Sequence, residues 1–213
     1  MDVKTDDLIK LMAEDAPVRM RIGKALSMAL AVGLAGAVIL LLSTVGLREG
    51  MADAIASLRV AFKVAITVTL AVIACALTFR IGRPGVPLTA VAVLLIVPLA
   101  MLVVAVIAEL SVLPMSLWRE RLVGEHPVFC LYFIPLLSVV PLAAFLLALR
   151  EGAPASPGLA GAAAGLAAGA IAAAVYAWHC TDDSPLFVAS WYVAAIAVVT
   201  LAGFLIGRRL LRW

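Results

Sequence analysis

The chain has 213 residues, of which 65% are hydrophobic and only 14% charged, with a mean hydropathy of +1.17. Soluble domains average about 45–50% apolar and about 25% charged residues, and a single core of this size cannot hide the excess, which excludes a soluble enzyme, a disordered regulator and a disulfide-rich secreted module. The net charge of +3 and pI of 9.0 fit basic residues flanking membrane spans, with no direct nucleic-acid contact implied.

The first 24 residues form a polar arm. Thr5, Asp6 and Asp7 precede Leu8, Ile9, Leu11 and Met12, the pattern of an N-capped amphipathic helix with acidic residues at its positive dipole end. A helix this short is marginal in water and needs a surface to fold against. Anionic lipid would repel Asp6, Asp7, Glu14 and Asp15, so the expected surface is a protein groove that accepts the apolar face. Residues 25–213 form the second region. A helix crossing about 30 Å of hydrocarbon needs roughly 20 apolar residues, and six stretches qualify: 25–47, 62–79, 86–110, 128–149, 158–178 and 186–206. The fold class is therefore an all-α polytopic membrane protein with six transmembrane helices. The first stretch follows an acidic segment and lacks a small-residue cleavage site, so it is expected to stay as a span. The short connections leave no room for a soluble catalytic domain, and no dinucleotide fingerprint, P-loop or HExxH is present.

An even number of spans puts both termini on one side. That side then carries eleven of the 16 Lys and Arg residues: Lys4, Lys10, Arg19, Arg21, Lys24, Arg80, Arg83, Arg150, Arg208, Arg209 and Arg212. The excess places both termini in the cytoplasm.

Within the spans, Gly161, Gly165 and Gly169 recur at spacing four on one face of the fifth. Small residues so placed let a neighbouring backbone approach closely, either inside the bundle or in a homo-oligomer. Lys63 and Glu109 lie near the apolar zone at the external ends of their helices, where they either snorkel to the interface or pair. No carboxylate lies at mid-membrane, which disfavours a proton-coupled pump. Pro98, Pro135 and Pro141 interrupt spans as candidate kinks or hinges.

Cys75 has no His or carboxylate nearby in sequence and reads as an apolar filler. Cys130 follows His126 by four residues, and Cys180 directly follows His179. The topology puts both thiols at the external face, on consecutive helices joined by a short loop, so they can meet at the top of one hairpin. Three readings stay open: a redox pair, a soft metal site with His126 and His179 as auxiliary ligands, or interface residues without a shared role. No constitutive cofactor is expected; the second reading implies a heavy-metal ion held transiently at Cys130 and Cys180, with His179. In the run TDDSPLF, Ser184 is placed to cap the sixth helix, with Pro185 at its first position and Asp182 and Asp183 near its positive end.

The segments KTDDLIKLMAEDAPV, CLYFIPLLSVVPLAAFLLALREGAP, WHCTDDSPLFVASWY and GRRLLRW together resemble the NrsF family of bacterial integral membrane anti-sigma factors. The resemblance covers nearly the whole chain, and its third segment is the most specific. It implies a six-helix protein that holds an extracytoplasmic-function sigma factor of the sigma-F kind at the inner membrane. It also implies that the externally facing pair Cys130 and Cys180, with His179 before the second, senses metal or oxidative stress. Two rivals follow from the residues alone. A membrane thiol oxidoreductase would need a nucleophilic and a resolving pair, which three cysteines cannot supply. A small metal exporter would need ligands along a mid-membrane path, whereas both histidines lie at one face.

Overall fold

The computed structural model describes Ile9, residues 21–83 and residues 85–212. Among these there is no strand, and six helices are long and apolar enough to cross a membrane. They are α1 (Ile22–Thr44), α2 (Leu58–Ile81), α3 (Thr89–Val112), α4 (Pro127–Leu149), α5 (Pro157–Tyr176) and α6 (Pro185–Leu210). The all-α, six-span expectation holds. Of the residues read as a partner-binding helix, Ile9 is helical and exposed; Asp6, Asp7, Leu8, Leu11 and Met12 lie outside the described residues.

Sequence chemistry sets the helix ends. Ser57 caps α2 by accepting the Val60 N–H at 3.3 Å, which makes the span expected to be shortest a full 24-residue helix. Proline stands in the first turn of α4, α5 and α6, where its missing N–H costs nothing. The turn after α1 closes on Gly46, at φ +70°, whose N–H reaches the Leu41 carbonyl at 2.9 Å. The connection before α4, read from sequence as a loop, holds a 3₁₀ turn (Met115–Leu117) and a short helix (Trp118–Val123). The expected prolines act locally. Pro98 lacks the N–H that would bond the Leu94 carbonyl, and α3 is divided there into Thr89–Leu94 and Ile96–Val112. Pro135 and Pro141 lie within the continuous α4.

α5 is the buried centre of the bundle, and most of its residues are inaccessible. Its Gly and Ala side chains allow this, because they let backbones rather than side chains set the spacing. The face carrying Gly161, Gly165 and Gly169 packs on α6 of the same chain. A Cβ on Gly165 would stand 2.6 Å from the Val199 carbonyl oxygen, and one on Gly207 would stand 2.6 Å from the Gly161 Cα. Gly33 on α1 makes the same kind of approach to Pro141 on α4. One interhelical hydrogen bond reinforces the centre: Thr78 Oγ1 on α2 donates to the Ala163 carbonyl of α5 at 3.0 Å. The outward faces of α1 and α3 expose large apolar side chains such as Ile39 and Val104, as a lipid-facing surface requires.

The helices alternate in direction, so the connections collect at two ends. Residues 45–57, 113–126 and 177–184 meet at one. Residues 82–88 and 150–156 meet at the other, together with Arg21, Arg80, Arg83, Arg150, Arg208, Arg209 and Arg212.

Candidate functional site

At the end opposite the arginines, the segment between α5 and α6 dips into the bundle. Tyr176 ends α5, and the Cys180 N–H still bonds the Tyr176 carbonyl at 3.1 Å, so the chain coils once more and turns the Cys180 side chain inward. Cys130 sits one turn into α4, where Pro127 at the first position fixes the helix start. The two sulfur atoms lie 4.0 Å apart, both thiols are free, and both are buried. Cys75 lies on α2, partly buried, outside this pair.

The segment carrying Cys180 is clamped from four directions. Lys63, on α2, is fully buried at 0% exposure. Its ammonium donates to the Cys180 carbonyl at 2.8 Å, to the Asp182 carbonyl at 3.2 Å and to Asp183 Oδ1 at 2.5 Å. The second oxygen of Asp183 accepts from Arg48 Nη1 at 2.7 Å, while the Arg48 N–H bonds the Trp178 carbonyl at 3.0 Å. Asp182 turns its carboxylate the other way and accepts the backbone N–H groups of Glu125 at 3.1 Å and His126 at 3.4 Å, fastening the segment to the start of α4. Gly124, at φ +65°, makes this approach feasible, since a Cβ there would meet the Phe187 ring at 2.5 Å and Asp182 Oδ1 at 2.8 Å. On the α3 side, Glu109 Oε2 accepts from Ser184 Oγ at 2.7 Å and from the Leu186 N–H at 3.1 Å.

Several sequence-based readings are corrected by this arrangement. Lys63 and Glu109 neither snorkel nor pair with each other; both are buried and both hold the 180–186 segment. Ser184 makes no side-chain cap of its own. Glu109 takes that role from another helix, accepting the orphan N–H of Leu186. Asp182 and Asp183 are occupied by Glu125, His126, Lys63 and Arg48 rather than by the start of α6. The physical reason is common to all four: in an apolar surround, a charge is held only where opposite charge or aligned dipoles converge on it.

The histidines stand apart from the sulfurs. His126 is exposed, its ring edge-on to Phe129 with centroids 5.4 Å apart. His179 Nδ1 lies 3.1 Å from the Gly46 carbonyl oxygen, and its ring tilts against Tyr176. Among the described residues, no group of three or more His, Cys, Asp or Glu side chains converges on one point. Aromatic rings floor the thiol pair: Phe133 stacks on Tyr176 at 5.9 Å, and Tyr176 meets the buried Tyr192 at 6.2 Å. Sequence reasoning did not reach Arg48, Tyr176 or Tyr192. Arg48 was readable only as a flanking charge, and the two tyrosines only as apolar filling.

The electrostatics single out Cys180. Its thiol is lowered from the ordinary 9.0 to about 7, first because the Cys130 S–H donates to its sulfur and then because the Lys63 ammonium is near, against burial acting the other way. A thiol so placed is a thiolate for much of the time near neutral pH, and the thiolate is the form that attacks electrophiles and ligates metals. The sulfur separation suits capture of a soft ion. Two thiolates about 2.3 Å from one tetrahedral metal stand roughly 3.8 Å apart, so little would move, whereas a disulfide requires the sulfurs to close to about 2.05 Å.

Fold and site together define a helical membrane-spanning protein with a charge-clamped dithiol buried at one end. The chain belongs to the NrsF family, described as negative regulator of sigma F, which it matches over residues 11–213. It is similar to the probable anti-sigma-F factor NrsF of Azospira oryzae, with 34% identity over 215 residues covering 99% of this chain and 100% of the relative. It is also similar to the anti-sigma-F factor NrsF of Caulobacter vibrioides, with 33% identity over 224 residues covering 99% and 100%. No solved structure matches it.

Proposed function

We propose that this chain is a membrane-embedded anti-sigma factor that holds an extracytoplasmic-function sigma factor of the sigma-F kind at the bacterial inner membrane. It releases the factor when metal or oxidising stress reaches Cys130 and Cys180. The orientation rests on the basic excess at one end, which belongs in the cytoplasm, with the thiols facing the periplasm. Sigma binding falls to the N-terminal arm, with Asp6, Asp7, Leu8, Ile9, Leu11 and Met12 offering an amphipathic face, and to the loop at Arg80–Arg83.

The observation that carries the sensing half is the 4.0 Å approach of two buried thiols on a segment fastened to α2, α3 and α4. Chemistry at the pair acts on the whole upper bundle through those fasteners. Metal capture by both sulfurs releases up to two protons and no electrons. Disulfide formation releases two protons and passes two electrons to the oxidant. Either outcome stiffens the Cys130–Cys180 link and shifts the Lys63 and Asp182 clamps. A change in sigma affinity of about 1–3 kcal/mol, typical of allosteric coupling, is enough for induction. The 4.0 Å spacing favours metal capture over the disulfide, since it demands less movement.

The experiment is co-purification of the sigma factor from membranes carrying the intact chain, Cys130→Ser, Cys180→Ser or the double variant, before and after cadmium or diamide. The serine variants are expected to retain the sigma factor under both conditions while the intact chain loses it. Release from the double serine variant would remove the thiol mechanism. Retention after deletion of residues 1–20 would move the binding surface to the loops.

A further inference from the structure

Between α2 and α3 runs an apolar groove of about 870 Å³, opposite in character to the clamped site and reached sideways from the lipid. That volume falls within the usual ~300–1,000 Å³ of small-molecule sites. Phe62 forms part of the α2 wall, and Ile96, Met101 and Ala105 part of the α3 wall. From Glu109 at the thiol end down to Ile96 the groove follows α3 for about 20 Å at 1.5 Å per residue. One leaflet contributes about half of a ~30 Å hydrocarbon core, so the groove is as long as one leaflet's acyl layer and its interface.

Its upper end is charged. Glu109 is a wall residue with only 4% of its side chain exposed. Both hydrogen bonds that this carboxylate accepts fall on Oε2; the buried Oε1 has no hydrogen-bond partner among the described residues. Arg59, also a wall residue and half exposed, forms a long ion pair with that oxygen at 3.9 Å, beyond hydrogen-bond reach. Oε1 thus lies buried at the groove wall with a guanidinium at long range and no N–H donor, an arrangement that is expensive in hydrocarbon.

We infer that this groove is a binding site for a zwitterionic amine phospholipid of the outer leaflet, its acyl chain lying between α2 and α3, its phosphate on Arg59 and its ammonium donating to Glu109 Oε1. The charge pattern selects the headgroup. A primary ammonium supplies the missing N–H donor and replaces the Arg59 charge beside Glu109, as the guanidinium turns to the adjacent phosphate. A quaternary choline carries the charge but has no N–H. A glycerol headgroup has hydroxyl donors but leaves a net negative charge beside Glu109. The choice of the outer leaflet rests on the orientation proposed above; the groove itself is independent of the thiol reading, although Glu109 links it to the 180–186 segment.

The test uses full-length protein in mild detergent, titrated with phosphatidylethanolamine, phosphatidylcholine or phosphatidylglycerol of identical acyl chains and read by native mass spectrometry. The ethanolamine lipid is expected to bind about tenfold more tightly than the other two, a difference of about 1.4 kcal/mol. Ala105→Phe, which fills the groove, and Arg59→Gln, which removes the phosphate partner from a half-exposed position, are each expected to abolish that preference. Glu109→Gln is expected to reduce it. Equal binding of the three lipids overturns the proposal. So does an ethanolamine preference that survives both Ala105→Phe and Arg59→Gln, or a preference for phosphatidylglycerol.

Discussion

Replacing Lys63 with Met removes one ammonium and leaves three acceptors facing an apolar side chain. The Cys180 and Asp182 carbonyls lose a donor, and Asp183 keeps only Arg48. Removing one partner of a buried ion pair costs about 3–5 kcal/mol. Because Arg48 still neutralises Asp183, whose side chain is 16% exposed, the lower end applies, about 3 kcal/mol. For a chain of this size each kcal/mol moves the melting temperature by about 2–4 °C, so a fall of about 6–12 °C is expected. The assay is thermal unfolding in detergent followed by tryptophan fluorescence, run as a double-mutant cycle with Asp183→Asn. The double variant is expected to be less damaged than the sum of the single ones, because Asp183→Asn removes the charge that Lys63→Met strands. A shift below about 1 °C for Lys63→Met, or strict additivity in the cycle, refutes the clamp as an energetic unit.

Three further outcomes follow from the geometry. Alkylation of Cys180 by a small maleimide-type reagent should rise with pH and reach half its plateau near pH 7 rather than 9, because the reactive thiolate forms above the lowered value; Lys63→Met or Cys130→Ser should move that midpoint upward. Gly165→Ala should lower the melting temperature by several degrees, since the new Cβ meets the α6 backbone at 2.6 Å and backbone cannot yield cheaply, whereas Gly169→Ala, with neighbours at 3.4 Å, should be nearly neutral. An impermeant thiol reagent applied to intact spheroplasts should label Cys180 and spare Cys75 until detergent opens the membrane, and the reverse order would invert the proposed orientation.

The six spans and the proline that opens the last of them were legible in the chain itself. In lipid every backbone polar group must be satisfied within its own segment, so hydropathy over about 20 residues and a proline at a helix start are local signals that packing does not overturn. The small-residue face of the fifth span was readable for the same reason, as was the placement of the two thiols at one end, which needs only alternating helices and a short loop.

What the chain alone left undecided is which charge holds which atom. Lys63 reaches Asp183 across 120 residues, Arg48 across 135, and Glu109 reaches Ser184 across 75. Each of these side chains has a plausible local role, as a snorkelling group, a flanking charge or a helix cap, and local chemistry ranks those roles first. Only the packed bundle decides between them, because it withdraws water from Lys63 and Glu109 and so makes the distant carboxylate, hydroxyl and backbone groups the partners that are left. Hydrophobicity is written along the chain and sums residue by residue, whereas a buried charge takes its meaning from everything that surrounds it in space.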